Sequence, residues 1–141
     1  MAYLRWQFSA TMKCLLIVLA LLAASPWCHA ESWVEVKHGA FRVPKGSLAK
    51  VQATLKGTIA LAMSSKGGRP LEWSHYLIRY RGPRVKGLRT IEIHGACHFE
   101  DTGYDPRSDF YDVSDGGECY FLVYHVLKTG RYSNVVFHGV A

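Results

Sequence analysis

The sequence predicts an α+β fold, with one helix packed on a curled four- to five-stranded antiparallel sheet. Three observations carry this expectation. Leu48, Val51, Leu55, Ile59 and Ala62 recur at helical spacing. After Pro70 the apolar period changes to two in the segments read as strands. A single helix covers a whole sheet face only if the sheet curls around it. With 141 residues, 49% of them hydrophobic, the chain has room for one domain and one core. A disordered or low-complexity protein would be poorer in apolar residues.

Residues 1–30 read as an export segment. Leu15 to Ala24 is an unbroken apolar run, Lys13 precedes it, and Ser25-Pro26-Trp27 breaks it. Cys28-His29-Ala30 then ends in a small residue. Charge, apolar core and small-residue exit are the layout of a secretory signal peptide. Met12 followed by Lys13 offers an alternative start for the same leader. The run is too short to cross a bilayer, which takes ~20 residues. Removal after Ala30 leaves one α+β domain, residues 31–141, with no transmembrane segment and a periplasmic or secreted location.

Within that domain, residues 33–43 alternate apolar and polar and read as extended, bent at Gly39-Ala40. Pro44-Lys45-Gly46-Ser47 starts the helix with Ser47 as N-cap, and Gly67-Gly68 ends it in a left-handed cap. Gly57 inside the helix weakens it or lets a strand approach closely. Residues 75–81 form a strand with Tyr76, Ile78 and Tyr80 on one side, and residues 82–87 a turn. Residues 88–98 form the next strand. Ile91, Ile93, Gly95 and Cys97 face one way, and Thr90, Glu92, His94 and Ala96 the other. A polar loop with a short strand at 110–113 follows. Then come a strand at 118–126, a turn with a glycine bulge at Lys128-Thr129-Gly130, and a last strand at 132–140.

Cleavage would remove two of the four cysteines. Cys97 and Cys119 remain, on neighbouring strands, and export makes them a disulfide pair. Cys97 as nucleophile with His98 as base is badly placed, because adjacent strand residues point to opposite faces. His94 and His98 have zinc-like spacing, but on a strand they stand ~13 Å apart. No catalytic constellation, metal or cofactor is therefore expected. The 98–118 loop carries Glu100, Asp101, Asp105, Asp109, Asp112, Asp115 and Glu118, a solvated acidic loop with calcium as the alternative.

Charge is divided along the chain. Residues 31–91 carry 12 positive and 3 negative charges, and residues 92–141 carry 3 and 8. Arg79, Arg81, Arg84, Lys86 and Arg89 crowd the first hairpin and make it the candidate anion-binding loop, for an envelope anion or an acidic protein. The alternative is a solvated tip whose charges prevent edge pairing. Nucleic acid is disfavoured, since only Tyr80 interleaves with the cations.

Both faces of the last hairpin are apolar. Phe121, Val123, Val135 and Phe137 are assigned to the helix side. The other face carries Tyr120, Leu122, Tyr124, Val126, Tyr132, Val136 and His138. Tyr120, Tyr124, Tyr132 and His138 mark a candidate interaction face. Its alternative covers are the N-terminal segment, the 99–109 loop or a second subunit in a homodimer.

The order strand, helix, four antiparallel strands resembles the cystatin-like fold. Inhibitory cystatins carry Gln-x-Val-x-Gly in the first hairpin after the helix. The turn Pro83-Arg84-Val85-Lys86-Gly87 is similar at Val85 and Gly87, with Pro83 in place of Gln. Lys128-Thr129-Gly130 stands where the second inhibitory hairpin has Pro-Trp, and Gly39 corresponds only loosely to the N-terminal glycine. The stretch from Asp115-Gly116-Gly117 through Cys119 to Gly139-Val140-Ala141 also resembles small exported bacterial proteins of unassigned function. The leading expectation is a disulfide-containing binding or interaction module. An enzyme with a pocket between helix and sheet, using Glu92, His94, Tyr124 and His138, is one alternative. A cystatin-like protease inhibitor is the other.

Overall fold

The computed structural model describes residues 32–68, 72–97, 105–110, 117–133 and 135–138. The expected export segment, residues 1–30, and the expected strand residues 111–113 lie outside the described residues. So do Glu100, Asp101, Asp112 and Asp115 of the acidic loop. Among the described residues the architecture is α+β, with one α-helix and an open, mixed sheet.

The strands are β1 (Ser32–Glu35), β2 (Tyr76–Arg81), β3 (Arg84–Val85), β4 (Leu88–Cys97), β5 (Tyr120–Val126), β6 (Arg131–Tyr132) and β7 (Val136–Phe137). The order across the sheet is β1-β2-β4-β5-β6, with β3 extending beside β4 and β7 beside β5. The expected antiparallel sheet is corrected at its edge: β1 runs parallel to β2, with Trp33 opposite Ile78. The reason is connectivity. A helix follows β1, and a strand-helix-strand crossover returns the chain in its original direction.

The helix, α1, spans Lys45–Ser64. It starts two residues before the expected Ser47 cap, because Pro44 already has its φ fixed at −63° and serves as N-cap. The Pro44 carbonyl accepts from both Ser47 N and Leu48 N at 3.0 Å. At the far end Gly67 sits at φ +73°. Gly68 N donates to Met63 O and Gly67 N to Ser64 O, which closes the helix as a left-handed glycine cap does. Val51, Leu55, Ile59 and Met63 form the buried stripe.

That stripe meets Ile78 and Tyr80 of β2, Ile91 and Ile93 of β4, Phe121 and Val123 of β5, and Phe137 of β7. Each fully buried aliphatic side chain contributes roughly 1.5–3 kcal/mol. Trp73, Tyr76 and Phe121 pack as an aromatic trio with centroids 5.7–6.0 Å apart. Gly95 makes room for it, since a Cβ there would overlap the Phe121 ring. Cys97 and Cys119 are joined by a disulfide, their Cα atoms 5.1 Å apart. Beside it the buried Tyr76 hydroxyl donates to Glu118 O at 2.6 Å. Burial, reinforced by the Glu118 charge, pushes its pKa up to about 12.

Gly57 does not admit a strand. A Cβ there meets nothing within 4 Å. Gly57→Ala is therefore expected to stabilise the domain by about 1 kcal/mol through helix propensity alone. The urea midpoint should rise with an unchanged slope, and a fall would refute the propensity argument.

β5 pairs with both β6 and β7, but the two registers differ by one residue. His125 faces Tyr132, whereas Leu122 faces Val136. One extra residue between β6 and β7 is a bulge, and it reverses which face each side chain occupies. Ser133 sits in it, donating its N–H to Tyr124 O and accepting from Tyr124 N on its hydroxyl.

Candidate functional site

The sheet face opposite α1 carries the most concentrated chemistry. Arg79 and Arg81 of β2, Glu92 and His94 of β4, and Tyr124 of β5 share it by strand parity. Register sets Arg81 and Tyr124 on either side of Glu92, and Arg79 beside His94. Arg81 Nε donates to Glu92 Oε2 at 2.6 Å. Tyr124 OH donates to Glu92 Oε1 at 3.2 Å. His94 Nε2 lies 3.2 Å from the same oxygen.

The 105–110 segment straps across this face. Asp109 accepts from Arg81 Nη1 at its carboxylate, 3.0 Å, and from Arg79 Nη1 at its carbonyl, 3.1 Å. The Phe110 ring stacks on His94 at 3.8 Å, nearly parallel. The Arg81 and Arg79 guanidinium groups lie 4.6 and 5.5 Å from its centroid. Lys37 N donates to Arg107 O and ties the strap to the chain leaving β1. Asp105 caps the strap's turn, accepting from Arg107 N and from Ser108.

Burial alone would raise the Glu92 carboxyl. Hydrogen bonds from His94 and Arg81, with the Arg81 charge, outweigh it and hold the pKa below the ordinary value. Burial lowers the His94 pKa in spite of the Glu92 carboxylate. Burial, and then the Glu92 charge, raises the Tyr124 pKa. At neutral pH the site is thus an ionised carboxylate holding a neutral imidazole, a phenol and a guanidinium. Of the four polar groups expected for an enzyme, Glu92, His94 and Tyr124 come together. His138 lies at the other end of β5, its N–H bonded to Tyr120 O.

These shifts set a pH dependence. Below the ordinary histidine value of 6.5 the unfolded chain takes up protons that folded His94 resists, so stability falls there. Glu92 gives stability that is present above its unfolded value and is lost as pH falls through its lowered folded value. His125, lowered by burial, acts in the same direction as His94. His94→Gln is expected to flatten part of the decline between pH 6.5 and 5 while leaving the carboxylate limb. Urea midpoints at pH 7.5, 6 and 5 test this, and an equal decline in both proteins would refute it.

The five cations of the expected anion-binding hairpin fall into two groups. Arg79 is 1% exposed and Arg81 is paired, so both belong to the strapped face. Arg84, Lys86 and Arg89 are exposed on the hairpin. Its tip is a two-residue turn with Lys86 at φ +49° and Gly87 at φ +78°, a type I′ geometry. Arg89 lies over the Phe41 ring at 4.2 Å. Neighbouring turns bring further cations to this end of the sheet. Leu127 N donates to Arg89 O, which sets the turn holding Lys128 beside the hairpin, and Arg131 pairs with Val126. Phe41 N donates to Gly82 O, which places Arg42 there. Sequence reasoning missed Arg42, Lys128 and Arg131. The pairing of Thr90 with Val126 is the signal that places Lys128 and Arg131 there.

The expected interaction face is corrected at one residue. Tyr120, Tyr124 and His138 take the outer side. Tyr132 belongs to the helix side, where its hydroxyl lies 2.8 Å from Thr54 Oγ1 and donates to Val51 O at 3.4 Å. The bulge after Tyr132 causes the reversal. The strap covers Arg79, Arg81 and His94, on the β2–β4 part of the outer face. Among the described residues no three His, Cys, Asp or Glu side chains are grouped to hold a metal ion. Comparison with known proteins finds no matching family model, curated protein or solved structure.

Proposed function

We propose that the protein is an exported, disulfide-stabilised binding module that docks on an anionic partner through the basic end of its sheet. One observation carries this reading: three separate turns deliver Arg42, Arg84, Lys86, Arg89, Lys128 and Arg131 to one end of the sheet, all exposed. Among the described residues the ion pairs between an Arg or Lys and a carboxylate are Arg81–Glu92 and Arg81–Asp109. None of these six cations takes part. Convergent charge of one sign raises the local concentration of an anion and its rate of encounter. The Cys97–Cys119 bond supports a periplasmic or secreted location, where disulfides persist. No helix among the described residues is long and apolar enough to cross a membrane. A cystatin-like roll remains our proposal for the family of shapes to which the domain belongs.

The test is salt-dependent retention on immobilised sulfated dextran. The variant Arg84→Ala/Lys86→Ala/Arg89→Ala is expected to elute at markedly lower salt. Lys50→Ala/Lys56→Ala/Lys66→Ala, which removes equal charge from the helix side, should elute later than the hairpin variant. Equal elution of the two would show that only net charge matters and end the reading.

A second reading, an enzyme, is favoured by the meeting of His94 and Tyr124 on Glu92. In it Glu92 and His94 would act as the acid-base pair once the strap leaves the face. The variant Glu92→Gln should then abolish turnover of a substrate while leaving sulfated-dextran retention intact.

A further inference from the structure

We infer that the anionic partner is a membrane surface rich in acidic lipid, and that the Arg84–Arg89 hairpin is the element that enters it. This rests on the anion-docking reading and names its partner. Val85 and Leu88 carry the inference. They face each other across the hairpin and flank its Lys86-Gly87 turn. Among the described residues the exposed large hydrophobic side chains are Leu61, Val85, Leu88 and Val136, so half of them sit on this one tip. A soluble polyanion gains nothing from two exposed aliphatic side chains at the tip of a cationic hairpin. A lipid surface does: cations meet the headgroups while the aliphatic pair passes between them.

The hairpin is built to present this tip. β2 and β3 keep one register against β4, from Tyr76–Cys97 through Arg84–Arg89, although Gly82-Pro83 interrupts the strand. Thr90 N bonds to Pro83 O across the break. The tip is thus a hydrogen-bonded continuation of the central strands, already paired before it meets a surface. Arg84 and Arg89 pair on one side of the ribbon, Val85 and Leu88 on the other, with Lys86 at the apex. Lys128 and Arg131 stand behind them, on the neighbouring turn.

The experiment is co-sedimentation of the protein, in the form recovered from the expressing cell and identified by intact mass, with two kinds of vesicle. One is pure phosphatidylcholine and the other contains about a third phosphatidylglycerol. Comparing variants cancels whatever residues 1–30 contribute. The wild type is expected on the acidic vesicles and not on the neutral ones. Val85→Ser/Leu88→Ser is expected to weaken the acidic-vesicle partition about tenfold or more while eluting from sulfated dextran with the wild type. Arg84→Ala/Lys86→Ala/Arg89→Ala should weaken the partition by about a hundredfold and elute from sulfated dextran at markedly lower salt as well. Circular dichroism of each variant checks the fold, and both tip residues are solvent-facing. Retention on sulfated dextran without vesicle binding, or vesicle binding indifferent to Val85 and Leu88, overturns the lipid assignment alone. Loss of both kinds of binding in the wild type overturns the anion-docking reading with it.

Discussion

Glu92→Ala is expected to cost about 3–5 kcal/mol, the amount typical when one partner of a buried ion pair is removed. The carboxylate accepts from Arg81 and Tyr124 and engages His94, and its side chain is only 9% exposed. Deleting it leaves Arg81 with Asp109 as its remaining ion-pair partner among the described residues, on an exposed strap. Two guanidinium groups, of Arg79 and Arg81, then face the same ring and the same aspartate with less negative charge between them. Against a total stability of roughly 5–15 kcal/mol for a domain, this loss is a large share. Two readings follow from the geometry. The urea midpoint should fall steeply, and trypsin should cut faster after Arg107, because the strap loses the face on which it docks. Glu92→Gln, which retains acceptor capacity at one oxygen but no charge, should lie between. A cost below about 1 kcal/mol, the worth of a surface pair, would mean that Asp109 and Phe110 hold the strap without Glu92, and the network would lose its structural role.

The parts of this site that were legible in sequence are those set by strand parity. The alternation from Thr90 to Cys97 puts Glu92 and His94 on one face, and the alternation in 120–126 puts Tyr124 there too. The helical stripe from Val51 to Ile59 was equally readable, because the period of apolar residues is a local property. What parity cannot supply is the cover. Arg79 reads as an exposed cation of a basic hairpin. It is buried because residues 105–110, some thirty positions away, lie over it. The direction of β1 was hidden for a related reason: a strand's own pattern does not record whether its partner runs parallel. Tyr132 shows how fragile parity is across an irregularity. One inserted residue before Val136 transfers Tyr132 to the helix side, and the polar pair Ser133-Asn134 is the local hint. The basic end was half visible. Arg84, Lys86 and Arg89 are adjacent in sequence, whereas Arg42, Lys128 and Arg131 arrive through pairings that a linear scan does not make.

Cys97→Ala/Cys119→Ala is expected to lower stability by about 3 kcal/mol, from the entropy returned to an unfolded loop of this length. The bond spans a sequence separation of 22 residues and joins the end of β4 to the start of β5. Everything between those ends is tethered by it, including the 105–110 strap. The two devices that fix the strap are therefore coupled. The disulfide limits where its ends can go, and the Glu92–Arg81–Asp109 chain of contacts holds its middle. Once the strap has left the face, tethering its ends contributes less to the folded state. The triple variant that also carries Glu92→Ala should thus lose less than the two separate losses together, by about 1 kcal/mol in a double-mutant cycle. Strict additivity would show that bond and network stabilise separate regions. Reduction of the wild type should reproduce the double-alanine midpoint to within the small packing contribution of Cys97, which is buried in the core. It should also raise the rate of tryptic cleavage after Arg107. A reduced protein as stable and as protease-resistant as the oxidised one would sink the assignment of a stabilising role to this bond.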